Sequence, residues 1–135
     1  MNSSPALRYF HNRAATVLYV PAGYIRLDWQ PATAAVAELR AVYEHTLQAM
    51  LHHKTGLLMT VHNNRPPIPQ DVQQWLVAEW VPRAMATAGY RRCAVVEGGN
   101  PLSRLAARSI GSSLQGPLAF GYYDTTDAAE AWLLS

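Results

Sequence analysis

The chain has 135 residues, which is room for one domain rather than two. Half of the residues are apolar, which argues against disorder, and the formal charge of +2 is too small to indicate a nucleic-acid-binding protein. The single cysteine excludes an internal disulfide framework. Only 15% of the residues are charged, whereas an ordinary soluble domain has about 25%. We therefore expect a partner or a second copy of the chain to cover part of the surface, and we predict a homodimer.

The apolar stretches of the sequence are too short to cross a membrane. The longest one near the start runs from Ala14 to Val20 and stops at Pro21, whereas a span needs about 18–20 apolar residues. A secretory leader would have a basic residue, an apolar core and a small-residue cleavage site in that order. Here the stretch is β-branched and is followed by turn-forming and strand-forming sequence. We therefore expect a single domain over residues 1–135, located in the cytoplasm and without a membrane span.

The first thirty residues have the pattern of β-strands. Thr16–Val20 and Tyr24–Trp29 are rich in β-branched and aromatic residues, and the turn-forming segment Pro21–Gly23 lies between them. Apolar and polar residues alternate in Tyr24–Trp29 after its first position, so one face of this strand is expected to be buried and the other wet. The two segments predict an antiparallel hairpin, to which Leu7–Phe10 adds an edge strand.

From residue 33 onward, segments with helical periodicity alternate with short apolar runs. Apolar residues recur at steps of three and four in the helical segments, and the short runs resemble strands that are buried on both faces. This alternation predicts an α/β fold: a single mixed β-sheet with an N-terminal antiparallel hairpin and helices packed mostly on one face. The predicted helices are Thr33–His53, Pro69–Ala88 with a kink or restart near Val81, Leu102–Ile110 and a terminal helix capped by Thr125 or Thr126, and the predicted strands are Leu57–His62, Cys93–Val96 and Leu118–Tyr123.

Five segments of the sequence together carry a family resemblance. Two of them are Tyr24–Trp29 and Leu57–Arg65. The other three are Trp75–Arg83 (Trp-Leu-Val-Ala-Glu-Trp-Val-Pro-Arg), Ala88–Val96 (Ala-Gly-Tyr-Arg-Arg-Cys-Ala-Val-Val) and Asp127–Leu133 (Asp-Ala-Ala-Glu-Ala-Trp-Leu). In this combination, which covers most of its length, the chain resembles the STAS-like (SpoIIAA-like) domain family of uncharacterised bacterial proteins.

The resemblance implies a SpoIIAA-like fold, often seen as a dimer, and a regulatory module that acts through protein–protein contact without catalysis. Anti-sigma-factor antagonists of the STAS group carry a phosphorylatable serine after the central strand, at the head of the next helix. The corresponding segment here, Asn63–Gln70, contains no serine or threonine. We therefore predict a binding or regulatory module without a phosphoacceptor serine and without a cofactor, whose partner is an unknown protein or a small apolar ligand.

Polar residues that follow the two central strands form the candidate ligand-binding site. Asn63, Asn64 and Arg65 come after the first of these strands, and Glu97 and Asn100 come after the second. Ligands of open α/β sheets usually lie beyond the carboxyl ends of the parallel strands. Arg65 can pair bidentately with a carboxylate or a phosphate, and the two asparagines can hydrogen-bond a polar ligand. The sequence therefore predicts ligand contacts at these five residues.

Three alternatives to this interpretation are open. The asparagines can simply form a turn, with Arg65 solvated or paired with Asp71. A small-molecule or lipid-binding module would need a connected apolar pocket of about 300 Å³ or more, lined by aromatic side chains. An enzyme would need titratable groups that converge in a cleft, for which the candidates are His62, Arg65, Asp71 and Glu97.

Other residues that often carry chemistry are expected to be structural. The five histidines lack the spacing of metal ligands, so we predict no metal site. Cys93 lies in an apolar predicted strand and is expected to be a buried structural thiol. Trp75 and Trp80 lie five residues apart and straddle one helix face, and both are expected to line the edge of the core.

Overall fold

The computed structural model describes residues 5–114 and 118–135, and a six-stranded sheet runs through them. The strands lie side by side in chain order; the first three are antiparallel and the last four run parallel. This mixed sheet with an antiparallel hairpin on its N-terminal side confirms the predicted fold class. The strands are β1 (Leu7–His11), β2 (Ala15–Val20), β3 (Tyr24–Trp29), β4 (Leu57–Val61), β5 (Arg92–Val96) and β6 (Ala119–Tyr123).

Most of the helices cover one face of this sheet. They are α1 (Val36–His53), α2 (Gln70–Trp75), α3 (Val81–Ala88), α4 (Pro101–Ser113) and α5 (Thr126–Leu133). Crossovers between parallel strands are right-handed. Because β3 to β6 follow one another in a single direction, the helices that connect them fall on the same side. The larger apolar core lies between the sheet and α1 to α4, and a smaller core lies beneath α5 on the other face.

The pleat of β3 separates the two faces of the sheet. Ile25, Leu27 and Trp29 are at most 1% exposed and belong to the larger core. Arg26 and Asp28 point to the opposite face, where they form an ion pair of 2.7 Å. The predicted alternation of a buried and a wetter face is therefore confirmed.

Two helix boundaries differ from the prediction by three residues. α1 begins at Val36 rather than at Thr33, because the Glu38 carboxylate accepts a hydrogen bond from the N–H of Ala35 and so defines the first turn there. α4 continues as far as Ser113, beyond the predicted end of the short helix. Neither difference changes the order of the elements.

The second predicted helix changes its hydrogen-bond pattern before Pro82. α2 and α3 are joined by a π-helical turn, Leu76–Trp80, in which the N–H of Val81 donates to the carbonyl of Leu76, five residues earlier. Proline has no N–H, and in an α-helix its ring collides with the carbonyl four residues before it. The wider turn accommodates this ring, and α3 starts at Val81, where the sequence predicts a restart.

Both tryptophans of this segment are buried against α1. Trp80 is 1% exposed and Trp75 is 8% exposed, and the ring of Tyr43 meets each of them edge-on. The indole N–H of Trp80 also donates to the backbone carbonyl of Tyr43 at 2.8 Å. The two side chains therefore line the core, as predicted, and Trp80 is the more firmly held.

We expect Trp80→Phe to lower the free energy of unfolding by about 2 kcal/mol and Trp75→Phe by about 1 kcal/mol or less. The two substitutions make the same chemical change on neighbouring turns. Only the first removes the fully buried hydrogen bond to Tyr43. Denaturant unfolding followed by circular dichroism measures both losses, and equal losses would contradict this interpretation.

Candidate functional site

The segments that follow β3, β4 and β5 meet at the carboxyl edge of the parallel strands. β4 pairs with β3 on one side and with β5 on the other. The loop after β4, residues 62–69, therefore lies between Trp29 at the end of β3 and residues 97–100 after β5. The N–H of His62 donates to the carbonyl of Val96 at 3.0 Å, which continues the strand pairing into the loop. All five predicted site residues lie at this edge.

The two asparagines bind backbone groups of the flanking segments. Both have left-handed backbone conformations, with φ of 47° and 59°, which asparagine adopts more readily than most residues. The Nδ2 group of Asn63 donates to the carbonyl of Trp29 at 3.2 Å, and the N–H of Gly99 donates to Oδ1 of Asn64 at 2.7 Å. The loop after β4 is thus fastened to its neighbours on both sides.

Glu97 and Asn100 position α4. The Glu97 carboxylate, which is 4% exposed, accepts two hydrogen bonds of 2.8 Å from Arg108, and Arg104 lies 3.4 Å away. The hydrogen bonds from Arg108 hold the pKa of Glu97 below its usual value. Oδ1 of Asn100 accepts hydrogen bonds from two backbone N–H groups in the first turn of α4 and so caps the helix. Both side chains are therefore directed to α4.

Arg65 is buried, with its guanidinium stacked on the ring of Trp29. The residue is 3% exposed, and its Cζ atom lies 3.5 Å from the centroid of the indole. Its N–H donates to the carbonyl of His62 at 2.9 Å, and its own carbonyl accepts a hydrogen bond from the hydroxyl of Ser103. The alternative of a solvated Arg65 is wrong. Its suggested partner, Asp71, accepts a hydrogen bond from a backbone N–H of its own helix.

Two buried nitrogen atoms of this turn, Nη1 of Arg65 and Nδ1 of His62, have no hydrogen-bond partner among the described residues. Such atoms are rare in folded proteins, and each costs about 1–3 kcal/mol. Burial also lowers the pKa of the Arg65 guanidinium, and the neighbouring Tyr43 offsets only part of that effect. The turn therefore presents a buried positive charge that is not neutralised.

A cavity of about 70 Å³ lies beside Arg65. Gln30 and Thr33 contribute the other polar side chains of its lining, which includes no carboxylate from the part of the chain that the structure describes. Apart from the ring of Trp29, the remaining walls are small or apolar: Ala14, Ala32, Ala34, Leu39, Pro66, Pro67 and Pro69. The cavity thus combines one cation with a mostly apolar wall.

A second cavity, of about 60 Å³, lies between the sheet and the helices that cover it, and His62 and Cys93 both line it. Burial and the positive charge of Arg65 lower the pKa of His62 to about 4, although the negative charge of Glu97 raises it in part. Burial raises the pKa of the Cys93 thiol to about 12, so the thiol stays protonated. Cys93 is therefore the buried structural thiol that the sequence predicts.

A larger opening has a different lining. A groove of about 310 Å³ between α2 and α4 is open to solvent, and its lining consists mainly of glutamine and serine with a few small or aliphatic side chains: Gln70, Gln73, Gln74, Val77, Ala78, Ser109, Ile110 and Ser113. It lacks the aromatic walls that the lipid-binding alternative requires. Over residues 5–114 and 118–135, no three His, Cys, Asp or Glu side chains are grouped as a metal site requires.

Trp29, Tyr43 and Ser103 are neighbours of Arg65 that cannot be read from the local sequence pattern. Consecutive strands often lie side by side, so the end of β3 could have been placed next to the turn after β4, and Trp29 next to Arg65. Ser103 carries no comparable signal. Its contact depends on how α4 packs over the loop.

Comparison of the chain with protein-family models, with curated proteins and with solved structures found no match. The resemblance to STAS-like domains therefore stays a prediction. In the described part of the chain, none of the helices combines the length and the apolar character that crossing a lipid bilayer requires.

We expect His62 to make the folded protein less stable as the pH falls from 6.5 to 4. Its pKa is about 4 in the folded protein and about 6.5 in an unfolded chain, so the unfolded chain takes up the proton first. The stabilisation is complete above pH 6.5, and about 3 kcal/mol of it is lost by pH 4. Denaturant unfolding at a series of pH values measures this loss.

The control for this experiment is a second histidine. His62→Gln should remove this part of the pH dependence, whereas His52→Gln, at an exposed position of α1, should leave it unchanged. If the free energy of unfolding of His62→Gln falls with pH as steeply as that of the wild type, His62 is not the group responsible.

Proposed function

We propose that the protein is a STAS-like binding module of regulatory character, without catalysis, and that it holds an anion at Arg65. The observation that carries this proposal is the buried guanidinium whose Nη1 has no partner among the described residues, beside a cavity that Arg65 itself lines. The module acts by contact with the molecule or partner protein that carries the anion.

The energetics of a buried cation support an anionic ligand. An ionised side chain is costly to remove from water unless it is paired and hydrogen-bonded. Stacking on Trp29 offsets part of this cost, since a desolvated cation–π contact is worth about 2 kcal/mol. Stacking provides no acceptor for Nη1. A bound anion in the cavity supplies the opposite charge.

The rigidity of the loop supports a binding role as well. Pro66, Pro67 and Pro69 follow Arg65 directly, and hydrogen bonds fasten the loop to the ends of β3 and β5 and to α4. A site that is ordered before the ligand arrives loses little conformational entropy on binding. The guanidinium is therefore presented in a preset position.

The two alternatives find less support in the geometry. The two cavities of about 60 and 70 Å³ are far smaller than a lipid-binding pocket needs. Of the four candidate residues for an enzyme, Glu97 is paired with arginines of α4 and Asp71 is hydrogen-bonded within its own helix. Only His62 and Arg65 carry buried polar atoms that are free of such contacts.

We also propose that the protein is a cytoplasmic homodimer. The low fraction of charged residues supports self-association. Leu102 and Leu105, one turn apart on α4, are 65% and 67% exposed. Large apolar side chains in such positions are more typical of an interface than of a free surface. The single cysteine, a free thiol, is compatible with a reducing compartment.

We expect Arg65→Met to abolish the response of the protein to anions without destabilising it. In buffer with chloride as the only anion, the free energy of unfolding should stay the same or rise by up to about 3 kcal/mol, because an unpaired buried charge is replaced by an apolar side chain of similar length. In a thermal-shift series with acetate, phosphate, sulfate and nitrate at constant ionic strength, at least one oxyanion should stabilise the wild type and none should stabilise the variant.

Arg40→Met is the matched control. Arg40 also lies over a tryptophan ring, 5.2 Å from that of Trp75, but it is exposed. Its replacement should change stability by less than about 0.5 kcal/mol and leave the anion response intact. A loss of more than about 2 kcal/mol in Arg65→Met would mark Arg65 as a structural residue and overturn the proposal.

We expect light scattering at micromolar concentrations to give twice the mass of the chain. The double variant Leu102→Ser/Leu105→Ser should shift the mass towards the monomer. Leu51→Ser, at a 47% exposed position of α1, should not. A monomer mass for the wild type at every concentration would overturn the dimer.

A further inference from the structure

We infer that the ligand at Arg65 is a monocarboxylate with a short apolar tail, either a free acid or the carboxyl terminus of a peptide. This inference rests on the proposed function, that Arg65 holds an anion, and it adds the chemical class of that anion. Three features of the cavity lead to it: its charge, its size and its walls.

The charge of the cavity matches an anion with a single negative charge. Arg65 is the one cationic side chain among the described residues that line it. A carboxylate carries one negative charge at neutral pH and neutralises the guanidinium. A phosphate monoester carries about −1.5 to −2, so it would leave excess negative charge in a buried site. Such a charge is costly without a second cation.

The size of the cavity limits what can enter beside the guanidinium. A volume of about 70 Å³ has room for only a few water-sized groups. A carboxylate with one or two carbon atoms fills such a space. A sugar or a nucleobase is too large for it. The rest of a longer ligand has to leave through the open side.

The walls favour a carbon tail over a polar one. Prolines, alanines and Leu39 form most of the lining, and the polar side chains of Gln30 and Thr33 are exposed. The indole of Trp29 covers one face of the guanidinium and is itself held by a hydrogen bond of 2.8 Å to the hydroxyl of Thr60. Arginine binds carboxylates through the in-plane N–H groups of its fork. A carboxylate can therefore approach in that plane while its tail contacts the prolines.

The test is a titration of the full chain with small anions at constant ionic strength. Acetate, propionate, butyrate, phosphate and sulfate are the probes, and the readout is the indole N–H resonance of Trp29, assigned by its loss in Trp29→Phe. We expect saturable binding of propionate or butyrate with a dissociation constant in the millimolar range, at least tenfold below that for phosphate. Arg65→Met should show no saturable shift.

Two further variants separate the cavity from its charge. Ala34→Leu fills the cavity and keeps Arg65, so it should weaken propionate binding at least tenfold. Arg65→Lys keeps the charge but loses the bidentate hydrogen bonding to the carboxylate. It should therefore weaken propionate binding by more than threefold, but less than Arg65→Met does. Propionate binding that survives both Ala34→Leu and Arg65→Met would overturn the inference.

A titration with N-acetyl-Ala-Ala, and with the same peptide as its C-terminal amide, distinguishes a free acid from a peptide carboxyl terminus as the source of the carboxylate. Tighter binding of the free peptide than of propionate assigns the site to chain termini, and weaker binding assigns it to free acids; the amide should not bind in either case. If phosphate or sulfate binds at Arg65 more tightly than the carboxylates, the inference fails and the proposed function stands. If no anion gives a shift that depends on Arg65, both fail.

Discussion

The pairing of β4 with a parallel strand on each side determines what the turn after it can contact. Because β3 and β5 end at the same edge, the carbonyl of Trp29 lies on one side of this turn and Gly99 on the other. Asn63 and Asn64 adopt left-handed conformations and reach one neighbour each. These two contacts close the loop over its fourth residue, Arg65, and the guanidinium is left with the indole beneath it and a small cavity beside it.

An arginine buried in this way opposes the stability of the fold. The core around it is made of tightly packed apolar and aromatic side chains, and the same region contains two unpartnered nitrogen atoms within four residues of each other. A sequence selected for stability alone would place an apolar residue at such a position, since replacing an unpaired buried charge is often neutral or favourable. This cost is the reason that we propose an anion as the partner of Arg65.

Periodicity alone predicted the sheet and most of its helices, because strand and helix patterns are local properties of the chain. The two predicted apolar runs, Leu57–His62 and Cys93–Val96, form the neighbouring central strands β4 and β5. The position of Pro82 correctly predicted where the helical hydrogen-bond pattern changes. The site was predicted only as a position. The side chains after β4 and β5 are polar, but whether each binds a ligand or a backbone group depends on strand order and on α4. Those are long-range contacts, and a polar, proline-rich loop gives no local sign that its arginine is buried.

His62 and Arg65 are coupled through the same turn, which links ligand binding to protonation. The positive charge of Arg65 is one of the two reasons that the pKa of His62 lies near 4. An anion that neutralises Arg65 removes part of that repulsion, so the pKa of His62 rises when the cavity is filled. Thermodynamic linkage is reciprocal: protonation of His62 must then strengthen anion binding to the same extent. Because the pKa of His62 lies near 4, this coupling acts only as the pH falls towards 4–5, and a carboxylate ligand itself takes up a proton in the same range.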